Sequence, residues 1–517
     1  MGGDPGTRSG TGGNTIEPVT TAALGDTSYL LTSGDEALVV DPQRDCWPLL
    51  ASCTARGLRI RYVLETHVHN DYLSGALEVR AVTGATVAGP ARAGYGFDHL
   101  PLAEGDELAL GGLRVQALET PGHTAEHTAY LVLDGGQGPG GGRPAAVFTG
   151  GSLLVGSAGR TDLSGAARTE QLARAQYRSL RRLAQLPPDT RVLPTHGAGS
   201  SCSIGAAAGE RTSTVGDQRL ANPALLAGDE DAFVAARLLG LPPAPAYYRR
   251  MGPLNRAGPA VLGGPPGLLP LTPEEVQQAL WRDALVVDAR DRRAFADAHL
   301  PGSLGDELDG SFAALVGEVV PFGTPLVLVL PEPLADAARE AVLQLLRIGY
   351  DAWLVGELNG GVERWRASGR PLATIRTADV SEVRGALARG SSGLPGPSGL
   401  SGPSGSRGPD ARDGHGGPDG PDGRGGYDVP GGPEGGRPVQ VLDVRPAADP
   451  PVPGALAIPL TELPDRIGTL PPGREYWTVC GRGRRATVAA SLLAAAGIPV
   501  TAVVSGGAQD LVDELRR

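Results

Sequence analysis

Tyr62-Val63-Leu64-Glu65-Thr66-His67-Val68-His69-Asn70-Asp71 is the stretch from which the fold can be read. Its first residues, Tyr62–Glu65, form a short β-prone run, which predicts a strand. The residues that follow leave that strand in a turn carrying two imidazoles and a carboxylate. Such a turn can present His67, His69 and Asp71 to one cavity, and these groups are the usual ligands of zinc and non-haem iron. The pattern returns downstream. Thr120-Pro121-Gly122-His123 follows a predicted strand Leu113–Leu118, and Leu193-Pro194-Thr195-His196 ends another, Arg191–Pro194. Phe148-Thr149-Gly150-Gly151 marks a further strand end. Four of the chain's eight histidines therefore stand at strand ends within one stretch, far more clustering than isolated structural histidines would show.

Around these motifs, residues 15–200 alternate short apolar runs with glycine-rich turns. Tyr29–Leu31, Ala37–Val40, Thr86–Ala88, Ala129–Leu133 and Ala145–Phe148 read as further strands, and Thr169–Ala184 as a helix. Gly135–Arg143 reads as a hairpin insert. Many short strands mixed with helices predict a layered α/β sandwich. Residues 201–265 read as a connector packing on this domain, with a helix over Asp229–Leu239 and a proline-rich surface segment over Pro242–Pro259. Residues 1–14 are glycine-rich with no apolar core, which predicts a disordered leader and not a signal peptide.

The order from His67 to His196 resembles the metallo-β-lactamase superfamily over nearly the whole first domain, which implies an αββα sandwich. Within the superfamily it looks closest to the persulfide dioxygenase branch, with glyoxalase II as a relative. Gly159-Arg160-Thr161-Asp162 and Thr195-His196-Gly197-Ala198-Gly199-Ser200-Ser201-Cys202 carry that likeness, as do Asn222-Pro223 and Gly252-Pro253. The resemblance implies His67, His69, Asp71, His123 and His196 as metal ligands. Two departures bear on the metal count. Tyr72 stands where dinuclear members carry a histidine, and Gly151 where they carry a bridging aspartate. The expectation is one metal, Fe(II) or alternatively Zn(II). In the dioxygenase branch the positions of His67, His123 and Gly151 hold iron, so the missing carboxylate must be replaced. His69, Asp71 and Asp162 are the candidates, and a His67/His69/His123 set would suit zinc. His127, Tyr177 and Arg160 have weaker claims as pocket residues, each balanced by an ordinary structural role.

The rest of the chain contains an internal repeat. Leu285-Val286-Val287-Asp288-Ala289-Arg290, a strand Pro325–Leu330, a helix near Leu334–Ile348 and Gly360-Gly361 return later in the same order. Their counterparts are Val441-Leu442-Asp443-Val444-Arg445, a strand Tyr476–Val479, a helix near Thr487–Ala496 and Gly506-Gly507. In the second copy the strand ends in Cys480-Gly481-Arg482-Gly483-Arg484-Arg485. A thiol there meets backbone N–H groups and a helix N-terminus, both of which favour a thiolate. The loop resembles a rhodanese active site, which implies Cys480 as the sulfur carrier with Arg482 and Arg485 beside it. Four residues separate Cys480 from Arg485, one fewer than a tyrosine-phosphatase loop needs. In the first copy the matching position is Pro331, so that copy is expected to be incompetent in sulfur transfer. The fold class is thus α/β, with a metallo-β-lactamase αββα sandwich followed by two rhodanese-like α/β domains. The expected boundaries are 266–378 for the degenerate copy, 379–437 for a Gly/Pro-rich disordered linker and 438–517 for the copy with Cys480.

Composition narrows the function. The 517 residues carry a net charge of −11 and no lysine, which argues against a nucleic-acid or anionic-membrane surface. No apolar run is long enough to span a bilayer. Four scattered cysteines match neither a disulfide framework nor a zinc ribbon, so a cytoplasmic location is expected. The function expected is metal-dependent oxidation of a low-molecular-weight thiol persulfide to sulfite, coupled to sulfur transfer. Two alternatives stand beside it: a mononuclear zinc thioester hydrolase, and a non-catalytic metal domain carrying one sulfurtransferase. A small persulfide or thioester is the expected partner, and homo-oligomerisation is left open.

Overall fold

The computed structural model describes residues 13–135, 141–203, 209–239, 243–390, 437–446 and 449–515. The expected leader (but for Gly13 and Asn14), the tip of the hairpin insert and residues 391–436 of the expected linker lie outside these.

Two six-stranded mixed sheets form the N-terminal domain. The first runs in the order Thr15–Thr21, Asp26–Ser33, Glu36–Val40, Arg59–Leu64, Thr86–Pro90, Leu100–Leu102. The second runs Ser213–Thr214, Arg191–Pro194, Arg143–Gly150, Thr128–Asp134, Leu113–Glu119, Glu107–Leu110. Side chains alternate across a strand, and here both faces are apolar. Tyr29, Leu31, Leu38 and Val40 meet Val115, Tyr130, Val132 and Phe148 of the other sheet in the central core. Leu30, Val39 and Val63 turn outward onto Leu50, Cys53, Leu77 and Val79 of the helices Trp47–Ala55 and Ala76–Thr83. Leu131, Val147 and Val192 turn outward onto the helix Ala166–Leu183, whose Ala173, Leu180 and Leu183 recur at helical spacing. The result is an αββα sandwich.

The connector contributes more than a covering. Ser213–Thr214 extends the second sheet, and Phe233 and Val234 of the helix Glu230–Leu238 join its outer core. The expected surface segment over Pro242–Pro259 instead contains a helix, Tyr248–Ala257, with Tyr248, Met251 and Asn255 buried. The reason is spacing: those three positions share one helical face, which the many flanking prolines hide from a composition-based reading.

Two five-stranded sheets follow, parallel throughout and built in the same order. One runs Pro270–Leu271, Leu354–Leu358, Leu326–Val329, Leu285–Asp288, Leu304–Gly305. The other runs Arg376–Asp379, Val500–Ser505, Glu475–Val479, Val439–Asp443, Leu456–Ala457. Their first strands locate a correction. Arg376–Asp379 pairs with Val500–Ser505, and Val383 and Ala386 of the following helix Val380–Gly390 pack against Val441, Trp477 and Val479. The second sheet thus takes in 376–379, inside the segment expected to close the first unit, and the helix Val380–Gly390 occupies the start of the segment expected as linker. The apolar positions there are few, small and set among charges, so this stretch reads by composition like the residues that follow it.

The two units share one core, in which Val287, Leu328 and Leu345 join Leu442, Ala486 and Leu493. The first unit is also tied to the metal-bearing domain, through Arg44–Asp351 and Arg347–Asp45 at 2.5 Å each and a hydrogen bond from the Leu73 amide to the Arg347 carbonyl.

Candidate functional site

The strand ends of the two mixed sheets bring His67, His69, Asp71, His123 and His196 into one cluster, with exposures of 0 or 1 %. Asp41, at the end of Glu36–Val40, organises the turn. It adopts a φ of 49° and accepts hydrogen bonds from the Thr66 amide and hydroxyl, both at 2.7 Å, and from the Thr195 hydroxyl. Because the Thr66 hydroxyl donates to Asp41, its oxygen accepts from His67 Nδ1 at 2.9 Å. The Nε2 of His67 is then left with a free lone pair. His123 reaches the same state differently: its Nδ1 donates to the Arg160 carbonyl at 2.8 Å, and its buried Nε2 has no hydrogen-bond partner. Burial pushes its pKa down to about 3, helped by the nearby His196, so it stays neutral. Burial likewise holds His67 well below its ordinary value.

His196 completes a set of three. Its Nδ1 faces Asp26 at 2.8 Å and Asp71 at 3.2 Å, and its Nε2 lies 3.4 Å from that of His67. Burial opposes charging of this ring, but Asp71 and Asp26 outweigh it and raise its pKa to about 10. The ligand atoms of His67, His123 and His196 all lie within 4.8 Å of one another. Nitrogens bound tetrahedrally to one metal at ~2.0–2.1 Å stand about 3.4 Å apart, the separation the Nε2 atoms of His67 and His196 already have, and His123 lies close enough to reach the same cation. The carboxylate beside His196 is the partner that orients a ligating imidazole.

His69 is differently engaged. Its Nε2 lies 3.2 Å from Asp41, 3.3 Å from Glu65 and 3.1 Å from the Tyr72 hydroxyl. Burial works against its charge, yet Asp41 and Glu65 hold its pKa well above the ordinary value. Its Nδ1 is unpartnered, and one of its ring nitrogens belongs to two further overlapping sets, with Asp71 and His196 and with Asp41 and His67. Asp162 is taken up by Arg160, with two contacts of 2.7 Å, and is no ligand. His127 accepts from the Gly151 amide at 2.9 Å and pairs with Thr120, a structural role. Tyr177 lies in the outer helix layer against Phe233.

Gly151 explains the missing carboxylate. A Cβ there would fall 2.1 Å from Cδ2 of His123, so the imidazole fills the room a side chain would need. Strain at this loop sits on Gly150, with φ +51°. A bridging carboxylate does not fit this arrangement. Asp26 and Asp41 were missed in the sequence. The available signal was an acid at the end of an apolar strand, which is ordinary in turns.

The second candidate site lies at the end of Glu475–Val479. Gly483, with φ +85°, turns the loop into the helix Arg484–Ala495, and a Cβ there would meet the Val504 carbonyl at 2.8 Å. Cys480 opens onto a cavity of about 500 Å³. Arg482 and Arg485 line it, as do Leu24 and Gly199 of the metal-bearing domain and Asp309 and Glu318 of the first parallel unit. Arg484, also on the cavity wall, donates to Asp306 at 2.8 Å. Asp443 and Arg445 form a pair at 2.8 Å that ties the strand end, as Asp288 and Arg290 do at 2.6 Å in the first unit.

Comparison with known proteins places the N-terminal half. Residues 23–196 match the Metallo-beta-lactamase superfamily. A hydroxyacylglutathione hydrolase of Cereibacter sphaeroides is 32 % identical over 270 residues, covering 50 % of this chain and 95 % of that protein. One from Methylobacillus flagellatus is 38 % identical over 170 residues, 32 % of this chain and 60 % of that one. The crystal structure of a metallo-beta-lactamase from Staphylococcus aureus subsp. aureus COL superposes with a TM-score of 0.60 at 25 % identity, covering 67 % of this chain and 99 % of that one. The chain belongs to the metallo-beta-lactamase superfamily.

Proposed function

We propose that this chain oxidises a low-molecular-weight thiol persulfide at one metal and exchanges sulfane sulfur at Cys480, in a rhodanese-like unit. One observation supports the coupling: the Cys480 cavity is walled in part by Leu24 and Gly199 of the metal-bearing domain. Four free, buried cysteines fit a reducing cytoplasm. No helix among the described residues is long and apolar enough to cross a membrane.

His67, His123 and His196 would hold the cation, iron by this reading. When bound it would supply a Lewis-acidic position for the sulfur and a partner for O₂. The chain's own part is to keep two imidazole lone pairs neutral, to orient His196 through Asp26 and Asp71, and to exclude bulk water by burial. The balance is one persulfide, one O₂ and one water giving thiol, sulfite and two protons. At Cys480 the thiolate attacks the outer sulfur of a persulfide. The S–S bond breaks, its electron pair leaves with the thiolate of the carrier, and Cys480 keeps the sulfur as its own persulfide.

A second reading, a zinc thioester hydrolase, is favoured by the clustered imidazoles of His67, His123 and His196 and by the hydroxyacylglutathione hydrolases among the relatives. Elemental analysis followed by oxygen uptake with a thiol persulfide decides between them. About one iron per chain with persulfide-dependent sulfite formation supports the first; zinc with thioester cleavage and no oxygen uptake supports the second. Gly151→Asp serves as the arm for ligand geometry. Forcing a side chain against His123 should lower metal content and cost about 1–3 kcal/mol of stability. Tighter metal binding in that variant would overturn the three-imidazole set.

A further inference from the structure

We infer that the thiol-less parallel unit is a working half of the Cys480 site, with Arg292, Asp306 and Asp309 acting as positioning residues for the Cys480–Arg485 loop. The inference deepens the sulfur-transfer reading and rests on it.

Two loop residues are held from across the unit boundary. Arg292 donates to the Arg482 carbonyl, and it is itself fixed by Glu307 at 2.6 Å. Arg484 donates to Asp306 Oδ1 from Nε at 3.0 Å and from Nη2 at 2.8 Å, and also to Asp309 and Ser311. Gly483 lies between these anchors, and a Cβ on it would meet Nη1 of Arg292 at 2.9 Å. The loop is therefore gripped on both sides of its one left-handed residue by side chains of the other unit. Holding the Arg482 carbonyl on a cation keeps its negative end occupied away from a thiolate.

The energetics favour positioning over simple stabilisation. Asp306 is wholly buried, and its Oδ2 has no hydrogen-bond partner. A buried ion pair with an unsatisfied oxygen is commonly no better for stability than an apolar pair of the same size. What it adds is a fixed direction for Arg484. With Arg484 so committed, Arg482 and Arg485 are the other two loop arginines on the cavity wall, and the Glu318 carboxyl there feels the charge of Arg485. A cavity of about 500 Å³ in which Arg292, Arg482, Arg484 and Arg485 outnumber Asp309 and Glu318 fits a small anionic sulfur compound, a persulfide or thiosulfate.

The test uses the full chain with Asp306→Asn and, separately, Arg292→Gln. Two quantities are read: the pH midpoint of Cys480 alkylation by iodoacetamide, with Cys480→Ser as background, and kcat and KM for thiosulfate-dependent sulfur transfer. The expected result is a midpoint raised by about one pH unit and a kcat/KM lowered about ten- to a hundredfold, with metal content unchanged. Unchanged midpoints and unchanged kcat/KM, with only a lower unfolding temperature, would overturn the inference. If Asp306→Asn fails to fold, Arg292→Gln decides it alone. Alkylation, done after reduction has removed any bound sulfane sulfur, reads the thiol whether or not the chain catalyses transfer. A native chain inactive in transfer therefore rejects the function, while the midpoints still judge the positioning.

Discussion

The two parallel units share a strand order and a paired Asp-x-Arg strand end, yet differ at the loop after the third strand. In one, Val479 leads into Cys480, two glycines and three arginines; in the other, Val329 leads into Leu330-Pro331-Glu332-Pro333. The sheets persist because the strands remain apolar on both faces, which parallel sheets require. The loop is free of that requirement and so can lose its chemistry without cost to the core. The thiol-less unit has kept Arg292, Asp306 and Asp309, the residues that reach its sister's loop. The lesson is that loss of a nucleophile need not be loss of a role.

The sharpest way to break the contrast is Cys480→Ser. It removes the thiolate from a near-isosteric side chain and should abolish sulfur transfer, at least about a thousandfold, with an unchanged circular dichroism spectrum. Activity surviving in that variant would place the chemistry elsewhere. A smaller effect is expected in stability. Burial raises the Asp306 carboxyl to about 7 against the opposing pull of Arg484. Its folded value lies above its unfolded one, so its contribution is full below about pH 4 and lost as pH rises through about 7. The slope it adds is at most about 1.4 kcal/mol per pH unit. Urea midpoints measured across that window should fall less steeply for Asp306→Asn than for the native chain. Asp26, also raised to about 7 by burial and by Asp71, leaves a residual slope of the same sign. The smallest effect is expected from Pro331→Cys: a thiol without the arginines, beside Glu332, should give the Cys480→Ser background no transfer activity. A measurable gain would show that the strand end alone suffices.

How far the sequence could be read follows the range of each interaction. Strand ends bearing His67, His123 and His196 were visible because apolar periodicity and the turn after it are local. The αββα sandwich was visible for the same reason, through alternation in strands such as Asp26–Ser33. The place of Arg376–Asp379 in the second sheet was hidden, since its evidence is a pairing with Val500–Ser505 more than a hundred residues later. Asp26 was hidden likewise: nothing near it in the chain announces His196.

Residue order alone determined which side chains this protein has to work with: four histidines and an aspartate at strand ends, a cysteine at the mouth of a glycine- and arginine-rich loop, and a sister loop with none. Tertiary structure alone decided their states. It gave His69 to Asp41 and Glu65, set His196 beside His67, let the His123 ring occupy the space beside Gly151, and turned Arg484 onto Asp306. The physical reason is that strand and turn formation depends on neighbours in sequence. Desolvation, charge pairing and steric filling depend on atoms brought together from distant strands, and these set which nitrogen keeps its lone pair and which arginine is left for a ligand.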